Sequence, residues 1–320
     1  GSQTGTLLSD NQYNIAIGGF ALDAANSGEH NNIAIGYGSL GAETSGADGC
    51  VAVGHKALHD QNVDSANNTA IGYHAAANGI ITGTNNCVFG KGAGFDLTSG
   101  HSNVLMGKNA GQNFTDNESN VIIGNNAMET ADSGEHFNIA IGDSALQSLN
   151  GSSSDGNVAI GHQALKSLAV AGPAMVAIGF EAGENAVTPN NSVYIGYQAV
   201  GTGAATGNDN VVIGYGSGRD LTSGSSNIFL GKDAGENVTT GSYNIVVGVN
   251  AMEAAVANND ACIAIGHQAL MTENSGADHC IAIGYDALKL QNQDVKNVAI
   301  GSYAGDAITS GDRNTGLGYA

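Results

Sequence analysis

The sequence predicts an all-β chain wound as a parallel β-solenoid of about eighteen coils, and three observations carry that prediction. A phrase of the form Asn–apolar–Ala–Ile–Gly, two variable residues and then Ala returns eighteen times, its glycines running from Gly18, Gly36 and Gly54 to Gly284, Gly301 and Gly318. Of the seventeen gaps between those glycines, seven are 17 residues, nine are 18 and one is 19. Turn-forming pairs (Ser27-Gly28, Ser45-Gly46, Ser99-Gly100, Ser223-Gly224, Ser310-Gly311) precede the next apolar stretch. A period this even means one short unit stacked on itself, each copy meeting only its neighbours.

The repeat occupies residues 14–320 and is read as a single solenoid domain, with 1–13 as a lead-in. Gly1-Ser2 reads as a cloning scar and Ala320 falls in mid-repeat, so the chain is expected to be a segment of a longer fibre. The 49 glycines, two prolines and absence of Trp would suggest low complexity, but ordered apolar columns argue against disorder. Nine basic against 29 acidic residues give a formal charge of −20. Such a surface repels phosphate backbones and anionic membranes, which excludes nucleic acid as a partner. No run of about 20 apolar residues exists, so no membrane insertion is expected in this segment.

Each coil is numbered from its glycine as zero. Positions −3 and −1 carry large apolar residues, as in Ile15 and Ile17, Ile33 and Ile35, or Val158 and Ile160. Alternation along a strand sends that pair to one face, expected to be the core inside the coil. Position −2 points the other way and is also apolar: Ala16, Ala34, Val88, Ile122, Ala140, Val212 and Phe229. A strand apolar on both faces is buried on both. Left alone, the −2 column would form a wet apolar strip about 80 Å long at ~4.8 Å per coil. Self-association through those residues is therefore expected.

Position −4 is Asn in thirteen coils, and identical amides stacked at strand spacing can hydrogen-bond along the stack. Cys50, Cys262, Cys280, Met175 and Ser192 stand there in the others. Position +3 is Ala in fifteen of seventeen complete coils, a mark of a tight fold-back. Position +4 sorts the coils. Where it is Gly (Gly94, Gly111, Gly183, Gly218, Gly235, Gly305), the coil has 17 residues every time. With Leu, Met, Val or Ala there, ten of eleven coils have 18 or 19, so a core side chain such as Leu146, Leu165 or Leu270 is expected to widen the coil. The sequence Asp96-Leu-Thr-Ser-Gly100 returns as Asp220-Leu-Thr-Ser-Gly224, seven coils on, which points to growth by block duplication.

Asn-x-Ala-Ile-Gly with a small residue at +3 resembles the head repeat of YadA-type trimeric autotransporter adhesins, and similar repeats occur in phage tail-fibre-like proteins. The likeness covers residues 14–320. It implies a left-handed parallel β-roll, three chains about an axis, and a head that binds host matrix or cell-surface molecules. The coils here are 17 to 18 residues long, where the family's usual coil is shorter. Neck, stalk and membrane anchor are not in this segment.

Three sets of residues are candidate sites. The +1 rank holds Tyr37, Tyr73, Tyr197, Tyr215, His267 and Tyr285 among other aromatic and cationic groups, a surface suited to sugars or proteins. A plainer reading has these side chains merely covering the strand end. In column −6, His101, Glu118, His136 and Asp155 follow on four consecutive coils, ~5 Å apart if in register, where a divalent cation could bind. The alternative, a solvated charge ladder, is preferred, and no metal or cofactor is expected. Cys262 and Cys280 share column −4 on adjacent coils, within reach of a bridge, and reduced thiols replacing Asn are the preferred reading.

Gly90-Lys-Gly-Ala-Gly94 resembles a phosphate loop, but no helix follows and the same glycines recur as coil punctuation. No Ser-His-Asp or Cys-His order is present, so the chain is not expected to be an enzyme. A tailspike-type glycosidase would need two carboxylates about 5–10 Å apart in a groove. An ice-binding protein would need a regular threonine ladder, whereas Thr98, Thr115, Thr222, Thr239 and Thr309 are scattered. The expected function is a rigid attachment or receptor-binding segment of a homotrimeric fibre. Its expected partners are further copies of itself and a host surface protein or glycan. The expected location is extracellular, on a bacterial surface or as a virion tail fibre.

Overall fold

The structure, a computed structural model, describes residues 3–5, 11–24, 29–42, 47–60, 66–151, 154–169, 174–255, 259–272, 278–291 and 296–319. The predicted turns Ser27-Gly28 and Ser45-Gly46 lie outside these residues. Among the described residues there are eighteen three-residue strands and no helix, one strand for each phrase of the repeat. The chain forms two compact units, Gly1–Asn157 and Val158–Ala320. The first carries β1 (Ile15–Ile17) to β8 (Ile139–Ile141), and the second β9 (Val158–Ile160) to β18 (Thr315–Leu317). Within each unit every strand pairs in parallel with the next along the chain, column on column: Ala16 faces Ala34, Val88 faces Leu105, and Val212 faces Phe229. Each unit is thus a parallel β-solenoid.

The phrase glycine ends each strand for a steric reason. Gly36 has φ +133, and a Cβ there would lie 2.3 Å from the carbonyl oxygen of Gly54 in the next coil. No side chain fits, and the left-handed backbone would strain any other residue. The chain then turns through two further left-handed positions, +2 and +4, which are occupied by ordinary residues such as Lys56 (φ 53) and Leu58 (φ 47). Such conformations cost roughly 1–3 kcal/mol each. Bonds to neighbouring coils hold them: Lys56 N–H donates to Tyr37 O at 2.8 Å, and Leu58 N–H to Ala75 O at 3.1 Å.

The inward face is the opposite of the one expected from the sequence. Ala34, Val88, Ile122, Ala140, Val212 and Phe229 are at most 1% exposed within their own chain, and Ala16 at the first coil is half-buried. This −2 column is the solenoid core and is unavailable to another chain. Positions −3 and −1 face out, with Ile17 59%, Phe89 45% and Leu230 44% exposed. Alternation fixes only that −2 opposes its neighbours. Volume decides which side is inside, because a coil this narrow admits one inward side chain per strand.

That volume rule is visible across the coil. Ala at −2 accompanies Leu at +4 (Ala140 with Leu146, Ala159 with Leu165, Ala264 with Leu270), and all six are fully buried. A bulky −2 residue instead leans over glycines at +4. A Cβ on Gly94 would stand 2.8 Å from Leu105 Cδ1, and one on Gly235 2.9 Å from Phe229 Cε2. Tyr194 fills the space beside Gly183 in the same way, at 2.9 Å. The leucines at +4 therefore occupy the core as expected, while glycines at +4 make room for a bulky −2 side chain of their own strand (Phe229 at Gly235) or of the next (Leu105 at Gly94, Tyr194 at Gly183).

The asparagines of column −4 form the expected ladder, and each satisfies backbone as well as its neighbour. Asn103 Oδ1 accepts from the backbone N–H of Asn120 at 3.0 Å and from its Nδ2 at 3.2 Å. Asn103 Nδ2 donates to Asn117 O at 2.7 Å and to Asn86 Oδ1 at 3.1 Å. The second unit repeats the pattern through Asn210, Asn227 and Asn244. Where Ser192 replaces Asn, its hydroxyl still accepts from Asn210 N–H at 3.0 Å.

Leu165→Ala should lower the unfolding free energy by about 2–5 kcal/mol, since it opens a cavity beneath Ala159 and Tyr194. Urea denaturation checks this. A loss under about 1 kcal/mol would mean that +4 is not a core position.

Candidate functional site

The turn after each strand places position +1 on the outside, and the rings there stack on one another. In the first unit Tyr37, His55 and Tyr73 stand with ring centroids 5.4 and 5.1 Å apart and planes within 17°. In the second unit the run His162, Phe180, Tyr197, Tyr215 continues at 5.0, 5.2 and 5.0 Å, and His267 stacks on Tyr285 at 4.9 Å. Two runs end under a lysine ammonium, Lys91 at 5.9 Å from the Tyr73 ring centroid and Lys232 at 6.0 Å from that of Tyr215. The tyrosines of the rank are exposed, from 41% at Tyr197 to 54% at Tyr215. The structure therefore gathers Tyr37 with Tyr73, Tyr197 with Tyr215 and His267 with Tyr285 into ladders. Their faces are engaged within the chain, so what they offer outward is ring edges and hydroxyls.

Two residues next to that rank were not singled out from the sequence. His74, at +2, lies against Tyr73 with centroids 4.2 Å apart and planes 4° apart, and Phe95 continues the arrangement at 5.9 Å from His74. Together with Tyr73, Lys91, Gly92, Asn109 and Gln112 they line an open groove of about 170 Å³. The only sequence signal is a missing side chain, Gly92, in a column whose neighbours are His74 and Asn109. Burial, and then the charges of His55, Lys56, His59 and Lys91, push the His74 imidazole below its ordinary value.

Column −6 is a set of backbone caps. His136 Nδ1 accepts from Glu118 N–H at 3.1 Å, and Asp155 Oδ1 accepts from His136 N–H at 2.8 Å. His101 Nε2 pairs with Glu118 Oε2 at 2.5 Å. The pattern recurs where Asp48 caps His30 and Asp278 caps Asp260. The four residues thus lie in sequence as neighbours, but among the described residues no three His, Cys, Asp or Glu converge as a metal centre. The threonines Thr98 and Thr222 donate to the carbonyls of Thr115 and Thr239 one coil on, which turns those hydroxyls to coil-to-coil bonding.

Cys50, Cys262 and Cys280 are buried in column −4. Gln291 Nε2 donates to Cys280 Sγ at 3.0 Å, while hydrogen bonding with Cys280 and then burial push the Cys262 thiol far up. Neither is an activated nucleophile. Cys87, expected in the core at −3, is half-exposed because that column faces out.

One buried acid has a displaced titration. Glu135 sits at the corner whose carbonyl receives Asn120 Nδ2 at 2.9 Å; its Oε2 accepts from Asn117 Nδ2 at 2.7 Å and its Oε1 has no partner. Burial raises its carboxyl from 4.5 to about 7, against the lowering effect of the Asn117 bond.

No known protein family and no curated protein sequence matches this chain.

Between pH 4.5 and about 7 the unfolded chain ionises Glu135 while the folded chain keeps its proton, so folding stability should fall as pH rises through that window. Glu135→Gln should therefore raise the thermal midpoint at pH 8 and change it little at pH 4. Melting curves across that range check it, and parallel curves for the two proteins would contradict the burial of an acid at this corner.

Proposed function

We propose that this chain is a non-enzymatic structural and attachment segment of a homotrimeric surface fibre, built as the left-handed roll of trimeric adhesin heads. The observation that carries the reading is the outward face of the sheets. Columns −3 and −1 present Ile15, Ile35, Met106, Ile178, Ile228 and Ile245 to solvent, each more than a third exposed, on a chain of charge −20. A monomer rarely leaves contiguous apolar rows in water. Rows of this kind, identical from coil to coil, suit a self-complementary or cyclic interface between copies. The number three comes from the resemblance of the repeat to adhesin heads, as does the extracellular bacterial setting. A virion tail fibre would use the same two faces.

Attachment falls to the other exposed surface, the +1 ladders. Regular ranks of ring edges and hydroxyls give many weak, equivalent contacts, and assembly of several chains multiplies them. A host glycan or surface protein is the ligand class that such a rank fits. No catalytic step enters this reading.

Assembly and attachment can be tested together. Light scattering of the purified chain should give three chains per particle, and a stable monomer at micromolar concentration would overturn the assembly. Ile141→Glu, on the outward face, should break the trimer and leave the coil folded. Ala140→Glu, one residue away but inside the coil, should prevent folding. Tyr197→Ala with Tyr215→Ala should preserve the trimer and lower adhesion to target cells; undiminished adhesion would remove the +1 rank as the attachment surface.

A further inference from the structure

After His74 the aromatic column of the first unit continues only as the Phe95 ring, 5.9 Å away, and an open niche lies beside it. At the level of the coil that contains Gly90, position +1 is the flexible Lys91 and position +2 is Gly92. The rings of Tyr73 and His74 lie one coil before this level and the amides of Asn109 and Gln112 one coil after it, with Phe95 forming the wall. Two coils of parallel sheet span about 9.6 Å, so where Gly92 carries no side chain, beside Phe95 and Lys91, a gap is left between the stacked imidazole and the amides. The gap is open to solvent and holds about 170 Å³.

Gly92 has φ +64, and a Cβ on it would meet Asn109 Oδ1 at 2.9 Å. His74 Nε2, at the roof, is buried with no hydrogen-bond partner. The charge around the niche also runs against the rest of the molecule. On a chain with 29 acidic residues, Lys91 is at the rim, and His55, Lys56 and His59 act on His74 from adjoining coils. Asn109 Nδ2 is held only by long bonds, 3.3 Å to Asn126 and 3.5 Å to Glu129.

We propose that this niche binds one acidic pyranose residue of a glycan, its ring seated in the vacant layer beside Tyr73, His74 and Phe95. The sugar carboxylate pairs with Lys91 Nζ, and sugar hydroxyls bond to Asn109 and Gln112. Aromatic walls with a few convergent polar groups are the usual make-up of a small-ligand site. The cation at the rim selects the carboxylate-bearing sugar over its neutral counterpart. The inference deepens the glycan-attachment reading but is tested on the first unit without any measurement of adhesion.

Calorimetric titration of the full chain with a trigalacturonate and with a sialyllactose separates uronic from sialic acids, and galactotriose and lactose are the neutral controls. At least one acidic sugar should bind, with its neutral control about tenfold weaker or worse. Lys91→Gln should weaken acidic binding about tenfold and leave any neutral binding unchanged. Gly92→Asn fills the layer with a residue that Asn109 and Asn126 show is tolerated at this φ, and it should abolish binding while circular dichroism and melting stay as in the parent. No acidic sugar binding, equal binding of acidic and neutral sugars, or full binding by a folded Gly92→Asn protein would each overturn the proposal. Tyr197→Ala with Tyr215→Ala should leave this binding intact, so failure of the niche and failure of the +1 rank are read separately.

Discussion

Everything in this fold depends on how the corner before each strand disposes of its backbone polar groups. Strands of three residues offer too few ladder bonds to hold a coil on their own, and position −4 at the corner before them is buried in most coils. The asparagine at −4 answers both needs. Its Oδ1 accepts the N–H of the same column in the next coil, and its Nδ2 donates to a carbonyl at the next corner, as Asn86 does to Gly100 O at 2.8 Å. A buried orphan donor or acceptor costs about 1–3 kcal/mol, so a column of satisfied amides is worth more than the sum of its neutral hydrogen bonds suggests. Cys and Ser are tolerated in the column because the coil-to-coil bonds of the adjacent strand persist, as Ile263 N–H to Cys280 O at 2.8 Å illustrates.

With the corners fixed, core volume is a problem of one side chain from the strand against one from the return leg. Ala against Leu and Leu105 or Phe229 against Gly are two solutions to the same constraint. Sharing the volume this way leaves the outer face of the sheet to side chains that the coil cannot accommodate, which is why that face is apolar without being part of the core. The lateral corner is freer still. It is there that rings stack, lysines cap them, and a glycine can leave a layer vacant.

Much of this was legible in the residues. Period, strand positions, the amide ladder and the leucines at +4 follow from columns that repeat with little variation. The direction of the strand face did not, because alternation at Ile33, Ala34 and Ile35 is symmetric between inside and outside. The deciding signal was present but lies in pairs: Ala at −2 with Leu at +4 in coils such as that of Ala140 and Leu146, and Val88, Leu105, Val212 and Phe229 each with a glycine at +4. The rank Tyr197–Tyr215 could be listed as a column, whereas its ring-on-ring stacking depends on rotamers. The His74–Phe95 niche was hidden for a different reason, since an absence at Gly92 carries no motif. Column −6 reads in the sequence as a charge ladder, and the capping within it is added by the structure: His136 and Asp155 side chains accept backbone N–H groups one coil away.

The central claim is that the −4 amides hold coil to coil, and Asn103 is the place to test it. Its side chain bonds to Asn120, Asn117 and Asn86. Denaturation of Asn103→Ala, with hydrogen exchange read at the Asn120 amide, addresses the ladder directly. A loss of about 2–4 kcal/mol and a marked drop in protection at Asn120 are expected. A loss below about 0.5 kcal/mol with the Asn120 amide still protected would show that the coils are held by something other than this ladder.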